Sequence, residues 1–189
     1  MADVLIPWGR SCTDTIIAPR NKQLHLEQRH LIDENQYTAR ITEEATAYQR
    51  WNYQISWDDL SAAEGKALDL ILNRIKGTGS AAEVPVWVAY TQPNISFHIS
   101  GQAGAQQCTL STAAGLEPGM YFRAGDYLHY ITDIEGLTAT VKPLLRTTHT
   151  LTAASTYRPT GRFFLADRNA AVRWAGARAT ADLAFWELF

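Results

Sequence analysis

The sequence predicts a mainly β protein: a β-sandwich core with one amphipathic α-helix and an inserted small β-barrel. Three observations carry that prediction. Trp51, Tyr53, Ile55 and Trp57 alternate with Asn52, Gln54 and Ser56, the two-residue period of a strand with one buried face. A helical stripe stands out at Ser61–Lys76, where Ala67, Leu68, Ile71, Leu72 and Ile75 share one side. After residue 106, brief apolar runs recur between Gly115, Gly119, Gly125 and Gly136, the punctuation of a small barrel or sandwich.

Taken in order, residues 3–35 are short apolar runs broken by turn residues. Thr15-Ile16-Ile17 stops at Pro19, and Leu24 and Leu26 alternate with polar neighbours as in a half-buried strand. Tyr37, Ala39 and Ile41 continue the alternation, and Glu43-Glu44 reads as a solvated turn before the aromatic strand Tyr48–Trp57. Ser61-Ala-Ala-Glu64 matches a capping box, in which the serine hydroxyl and the glutamate each satisfy a free backbone N–H. Gly77 ends the helix, and Lys76 in its last turn complements the dipole. Residues 84–91 form a strand whose Pro85 marks an edge. Ile95, Phe97 and Ile99 alternate with Ser96, His98 and Ser100, and a meander follows at 107–111, 120–123, 126–132 and 137–142. Residues 147–160 are rich in Thr, Ala and Ser and read as a loop or an edge excursion. Phe163–Leu165, Val172–Trp174 and Thr180–Phe189 are the closing strands. The domain boundaries are therefore a sandwich core at 1–92 plus 150–189, and an OB-like barrel at 93–149.

Size and charge narrow the function. A chain of 189 residues with 46% apolar content can bury a sizeable core as one domain with an insert. Its 17 basic and 19 acidic residues give a net charge of -2, without the basic excess of a dedicated nucleic-acid binder. Cys12 and Cys108 are far apart, which gives neither a disulfide framework nor a zinc pattern, and both read as buried thiols. The first residues lack the basic region of a signal peptide, and no apolar run reaches the roughly 18 residues of a membrane span. The expectation is a chain made in a cytosol that does not enter a membrane.

Catalytic signatures are missing. His25, His30, His98, His129 and His149 show no metal-ligand spacing, and there is neither a nucleophile elbow nor a phosphate loop. Asp58-Asp59 precede the helix and suit its N-terminal dipole. No cofactor, metal or enzymatic activity is expected.

The last third offers a candidate contact surface. Arg146, Arg158, Arg162, Arg168, Arg173 and Arg178 crowd a stretch whose acids are Asp167, Asp182 and Glu187. One reading is a solvated surface, the other salt bridging between subunits, where arginine is favoured. Leu183-Ala-Phe-Trp-Glu-Leu-Phe189 is apolar on both faces, as if its second face meets another subunit. The possible interface residues are Arg162, Arg168, Arg173, Arg178, Phe185, Trp186 and Phe189.

Several segments together resemble the distal tail proteins of tailed phages, over residues 48–175. They are the aromatic strand Tyr48–Trp57, the single helix Ser61–Lys76, the Gly-Asp-Tyr-Leu motif at Gly125–Leu128, the aliphatic strand His129–Ile134, the Pro-Leu-Leu-Arg close at Pro143–Arg146 and the Gly-x-Phe-x-Leu strand at Gly161–Leu165. The resemblance implies a virion structural protein of the tail tip, made in the host cytoplasm. It would form a homohexameric ring joining the tail tube protein to the tail hub and tip (baseplate) proteins. DNA would pass through the ring without specific binding, and no enzymatic activity is implied.

Two other classes stay open. One is a carbohydrate- or host-surface-binding β-module using Trp87, Tyr90, Tyr127 and Tyr130 as exposed aromatics. The other is a small hydrolase on a β scaffold.

Overall fold

In the computed structural model, residues 4–5, 19–35, 40–78, 81–89, 91–167 and 169–187 are described, with the backbone alone at 4–5, 28–35, 40–48 and 77–78. The protein is mainly β, with one helix and a closed small barrel. The first unit is a seven-stranded sheet of β1 (Val4–Leu5), β2 (Asn21–Asn35), β3 (Arg40–Ser61), β4 (Ala82–Pro85), β11 (Thr160–Leu165), β12 (Arg173–Ala175) and β13 (Arg178–Glu187). The order across it is β1-β4-β11-β13-β3-β2, with β12 paired to β13. The first pair is parallel and the others antiparallel. Helix α1 (Ala62–Thr78) supplies the second layer of this unit.

The helix starts as its sequence dictates. Glu64 Oε2 accepts from the Ser61 backbone N at 2.8 Å and from the Ser61 hydroxyl at 2.6 Å, while Glu64 N donates to Ser61 Oγ at 3.4 Å. Leu68, Leu72 and Ile75 are buried against the sheet, and at the far end Lys76 Nζ donates to the Ala170 carbonyl. The helix packs on the face of β3 that holds Tyr53, Ile55 and Trp57. In register with Phe185 and Leu183 of β13, these residues make one continuous apolar layer. Two-residue alternation in both strands is what places the five side chains on one face. Trp57 meets Trp87 edge-on at 5.9 Å, and Tyr53 meets Phe163 at 6.0 Å. The Tyr53 hydroxyl accepts from the Trp87 backbone N at 3.0 Å.

The second unit is a barrel of β5 (Ser96–Gly101), β6 (Gln107–Leu110), β7 (Tyr121–Ala124), β8 (Tyr127–Glu135), β9 (Thr138–Lys142) and β10 (His149–Ser155), closed in the order β10-β5-β6-β9-β8-β7. All its pairs are antiparallel. It has one strand more than the five of an OB-fold, and closure leaves it no free edge. Phe97, Ile99, Leu110, Phe122, Ile131 and Val141 fill it. Cys108 is buried there, and burial pushes its thiol up to about 11. Cys12 lies outside the described residues. The β7–β8 turn places Gly125 at φ 59 and the β8–β9 turn places Gly136 at φ 61, the left-handed backbone that two-residue hairpins demand.

Three local expectations are corrected. The strand expected over 84–91 stops at Pro85 and turns into a short 3₁₀ helix at Trp87–Ala89. Val86 N pairs with the Pro159 carbonyl at 3.0 Å, and the Tyr53 hydroxyl takes the next amide, so the chain leaves the sheet edge. Residues 147–160 are neither a loop nor an edge excursion: β10 fills His149–Ser155 and closes the barrel between β5 and β7, so the barrel strands run past 149. Thr, Ala and Ser suit it because its partners supply the apolar bulk. Glu43 and Glu44 are not in a turn: they pair with Ile32 and Leu31 inside the long β2–β3 hairpin.

Candidate functional site

The feature with the clearest consequence for assembly is that hairpin. β3 pairs with β13 as far as Trp186↔Asn52, and beyond that point, among the described residues, β2 is its one strand partner. The β2–β3 ladder continues from His30↔Ala45 to Asn35↔Arg40. At ~3.3 Å per residue the part of β2 from Gln28 to Asn35 spans roughly 25 Å. This arm is a two-stranded ribbon outside the multi-stranded part of the sheet. An isolated ribbon of this kind is marginal in water, and among the described residues no third strand pairs with either of its outer edges.

The residues expected at a subunit interface divide into three groups. Arg162, Arg173 and Arg178 lie on β11, β12 and β13, and each forms an ion pair within the chain. The partners are Asp126 at 3.7 Å, Asp182 at 3.6 Å and Asp59 at 3.4 Å. The Asp182 and Asp59 pairs are well exposed, so they hold little folding energy. Phe185 is fully buried in the chain's own core and is corrected from interface to core residue. Trp186 lies on the opposite face of β13, half-buried, with Phe164 edge-on at 5.8 Å and the Arg50 guanidinium 3.8 Å above its ring. The second face of β13 is thus partly covered by the chain itself. Arg168 and Phe189 lie outside the described residues.

The aromatics considered for ligand binding also divide. Trp87 is buried against Tyr53 and Trp57 of β3 and is corrected to a core residue. Tyr127 and Tyr130 are half-buried, and Tyr90 lies outside the described residues. The exposed large aromatics among the described residues are Tyr157 and Trp174.

What the sequence reading missed is the polar seam between barrel and sheet. Strand β8 is the shared wall: Leu128 joins the sheet core, while the Trp51 indole N donates to the Leu128 carbonyl at 3.0 Å. Gln92 brackets the Tyr121 backbone, donating to its carbonyl at 2.7 Å and accepting from its amide at 2.7 Å. Arg123 donates to Glu83 at 2.9 Å and to the Thr160 hydroxyl at 2.5 Å. Arg146 donates to Glu187 at 3.3 Å and to the Gln49 carbonyl. Glu187 Oε2 also accepts from the Trp51 backbone N at 3.3 Å, and its other oxygen is buried without a hydrogen bond. Burial outweighs the Arg146 charge and lifts the Glu187 carboxyl to about 7.

Behind the seam, His129 is fully buried, 5.3 Å from the Phe122 ring and 6.2 Å from His149. The Pro143 backbone stands beside it without completing a hydrogen bond. Burial holds His129 down at about 3 and also lowers His149. The sequence signal for Glu187 was present: it is the one acid in Leu183–Phe189.

Among the described residues no group of three or more His, Cys, Asp or Glu is placed to hold a metal ion, and no helix is long and apolar enough to cross a membrane. Compared with protein-family models and with curated proteins, the chain matches none of them.

Proposed function

We propose that this chain is a ring-forming structural protein of a phage tail, the distal component that joins the tail tube to the hub at the tail tip. The observation that carries the self-assembly is the β2–β3 arm, whose two edges lack a third strand among the described residues. A neighbouring copy that lays a strand or sheet edge along the arm would satisfy those backbone groups. Such a head-to-tail contact joins two different surfaces of the same chain, and it closes into a ring when the rotation permits. The hydrogen-bonded seam between barrel and sheet supports the same reading, because a ring subunit must hold its two units in one geometry. The sixfold order and the tube and hub as neighbours come from the resemblance at residues 48–175.

The test is native mass across a concentration series, with negative-stain images of the same sample. Closed six-membered rings are expected from the parent chain. A variant in which residues 29–48 are replaced by a two-residue Asn-Gly turn, joining the paired Gln28 and Gln49, is expected to stay monomeric with its core intact. A parent that is monomeric at every concentration overturns self-assembly, and rings formed by the shortened variant overturn the role of the arm.

A further inference from the structure

A cleft of about 500 Å³ opens beside the barrel, between β5, β10, the β7–β8 turn and the β10–β11 connection. Its floor is small: Ser96, Ala153, Ser155 and Gly125. Its walls are His98, Tyr157, Arg158 and Arg123. We propose that this cleft is a carbohydrate site that takes one hexopyranose ring, with Tyr157 as its stacking wall.

The argument begins with how Tyr157 is held. Its side chain is 53% exposed, yet the backbone around it is pinned at several points. Tyr157 N donates to Ser155 Oγ at 3.0 Å. The preceding Thr156 is fully buried, its hydroxyl donating to the Pro93 carbonyl at 2.6 Å and accepting from Ile95 N at 3.0 Å. Two residues after Tyr157, the Pro159 carbonyl accepts from the amide of Val86, just past the end of β4, at 3.0 Å. Between them Arg158 adopts φ 42, a left-handed conformation that residues with a side chain rarely take, and its guanidinium stands 5.4 Å from the Tyr157 ring centroid. An exposed aromatic on a fixed loop loses little conformational freedom on binding.

The ligand class follows from the lining. A pyranose presents axial C–H bonds of slight positive charge on one face, which suit the negative face of an aromatic ring, and hydroxyls around its rim. The small floor lets a ring approach the barrel wall, where the Ser96 and Ser155 side chains donate and accept. Arg123 is already committed to Glu83, Thr160 and the Gly125 carbonyl, so it acts as a rigid wall. The volume lies within the range of small-molecule pockets and is ample for one sugar ring.

This inference is independent of ring formation. Saturation-transfer NMR on the full chain, with the methyl glycosides of glucose, galactose, mannose and N-acetylglucosamine as probes, tests it. At least one probe is expected to bind with a Kd of about 1 mM to 10 mM. Tyr157→Ala, and separately Ala153→Trp on the exposed floor, are each expected to weaken that probe by roughly tenfold or more. Trp174→Ala, at the other exposed aromatic, is expected to leave it unchanged. No transfer to any of the four probes overturns the proposal. So does binding that survives Tyr157→Ala undiminished in a variant whose circular dichroism matches the parent.

Discussion

Arg146 and Glu187 meet at 3.3 Å in the seam between barrel and sheet, and the carboxylate is 1% exposed. Arg146 follows β9 and Glu187 ends β13, so one ion pair ties the two units together. A buried pair of this kind fixes geometry more surely than it adds stability, because taking both charges out of water costs about as much as their attraction returns.

That balance sets a pH dependence. The Glu187 carboxyl is lifted from 4.5 to about 7, so the folded chain holds the proton more tightly than the unfolded one. Its contribution is therefore fully present below the unfolded value and is lost as pH rises through about 7. Glu187→Gln keeps the shape and cannot ionise. It is expected to gain stability on the parent, by on the order of 3 kcal/mol in all, as pH rises through that window. Denaturant unfolding of both proteins at several pH values measures this, and a gap that does not move with pH overturns it.

His129 carries the opposite sign. Burial lowers it from 6.5 to about 3, so the folded chain keeps it neutral while the unfolded chain protonates. Its contribution is present above 6.5 and is lost as pH falls toward 3. Long-range nitrogen–proton NMR of the ring should report a neutral imidazole at pH 5, where an exposed histidine is charged. A protonated ring at that pH would mean that the seam admits water.

At the helix start, Ser61→Ala removes both the hydroxyl that serves Glu64 N and the donor to Glu64 Oε2. A loss of about 1 kcal/mol is expected. The double change with Glu64→Ala should cost less than the sum of the single ones, since each side chain serves the other. Strict additivity in chemical denaturation would show that the two act separately.

Arg173→Glu with Arg178→Glu reverses charge at two exposed pairs, with Asp182 and Asp59. Within one chain the change is expected to cost about 1 kcal/mol or less. If β12 and the start of β13 face a neighbouring copy, the same variant should reduce the ring fraction at a given concentration. Analytical ultracentrifugation and thermal melting of one sample separate the two effects, and unchanged assembly removes this segment from the interface.

The sequence by itself determined the elements whose signal is local. The Trp51–Trp57 alternation, the Ser61–Glu64 cap with its apolar stripe, and the glycine turns at 125 and 136 each bind neighbours in the chain, so periodicity and turn chemistry suffice. It also foretold a mainly β chain with one helix and a small barrel. Tertiary structure alone decided the rest. β10 is bland in composition and becomes a strand because β5 and β7 offer edges to it. Trp87 and Phe185 could be read as surface aromatics until the helix and sheet closed over them. The Arg146–Glu187 pair joins residues 41 apart, and the Arg123–Glu83 contact joins residues 40 apart. No sequence period encodes such pairings, because the fold itself brings them within reach.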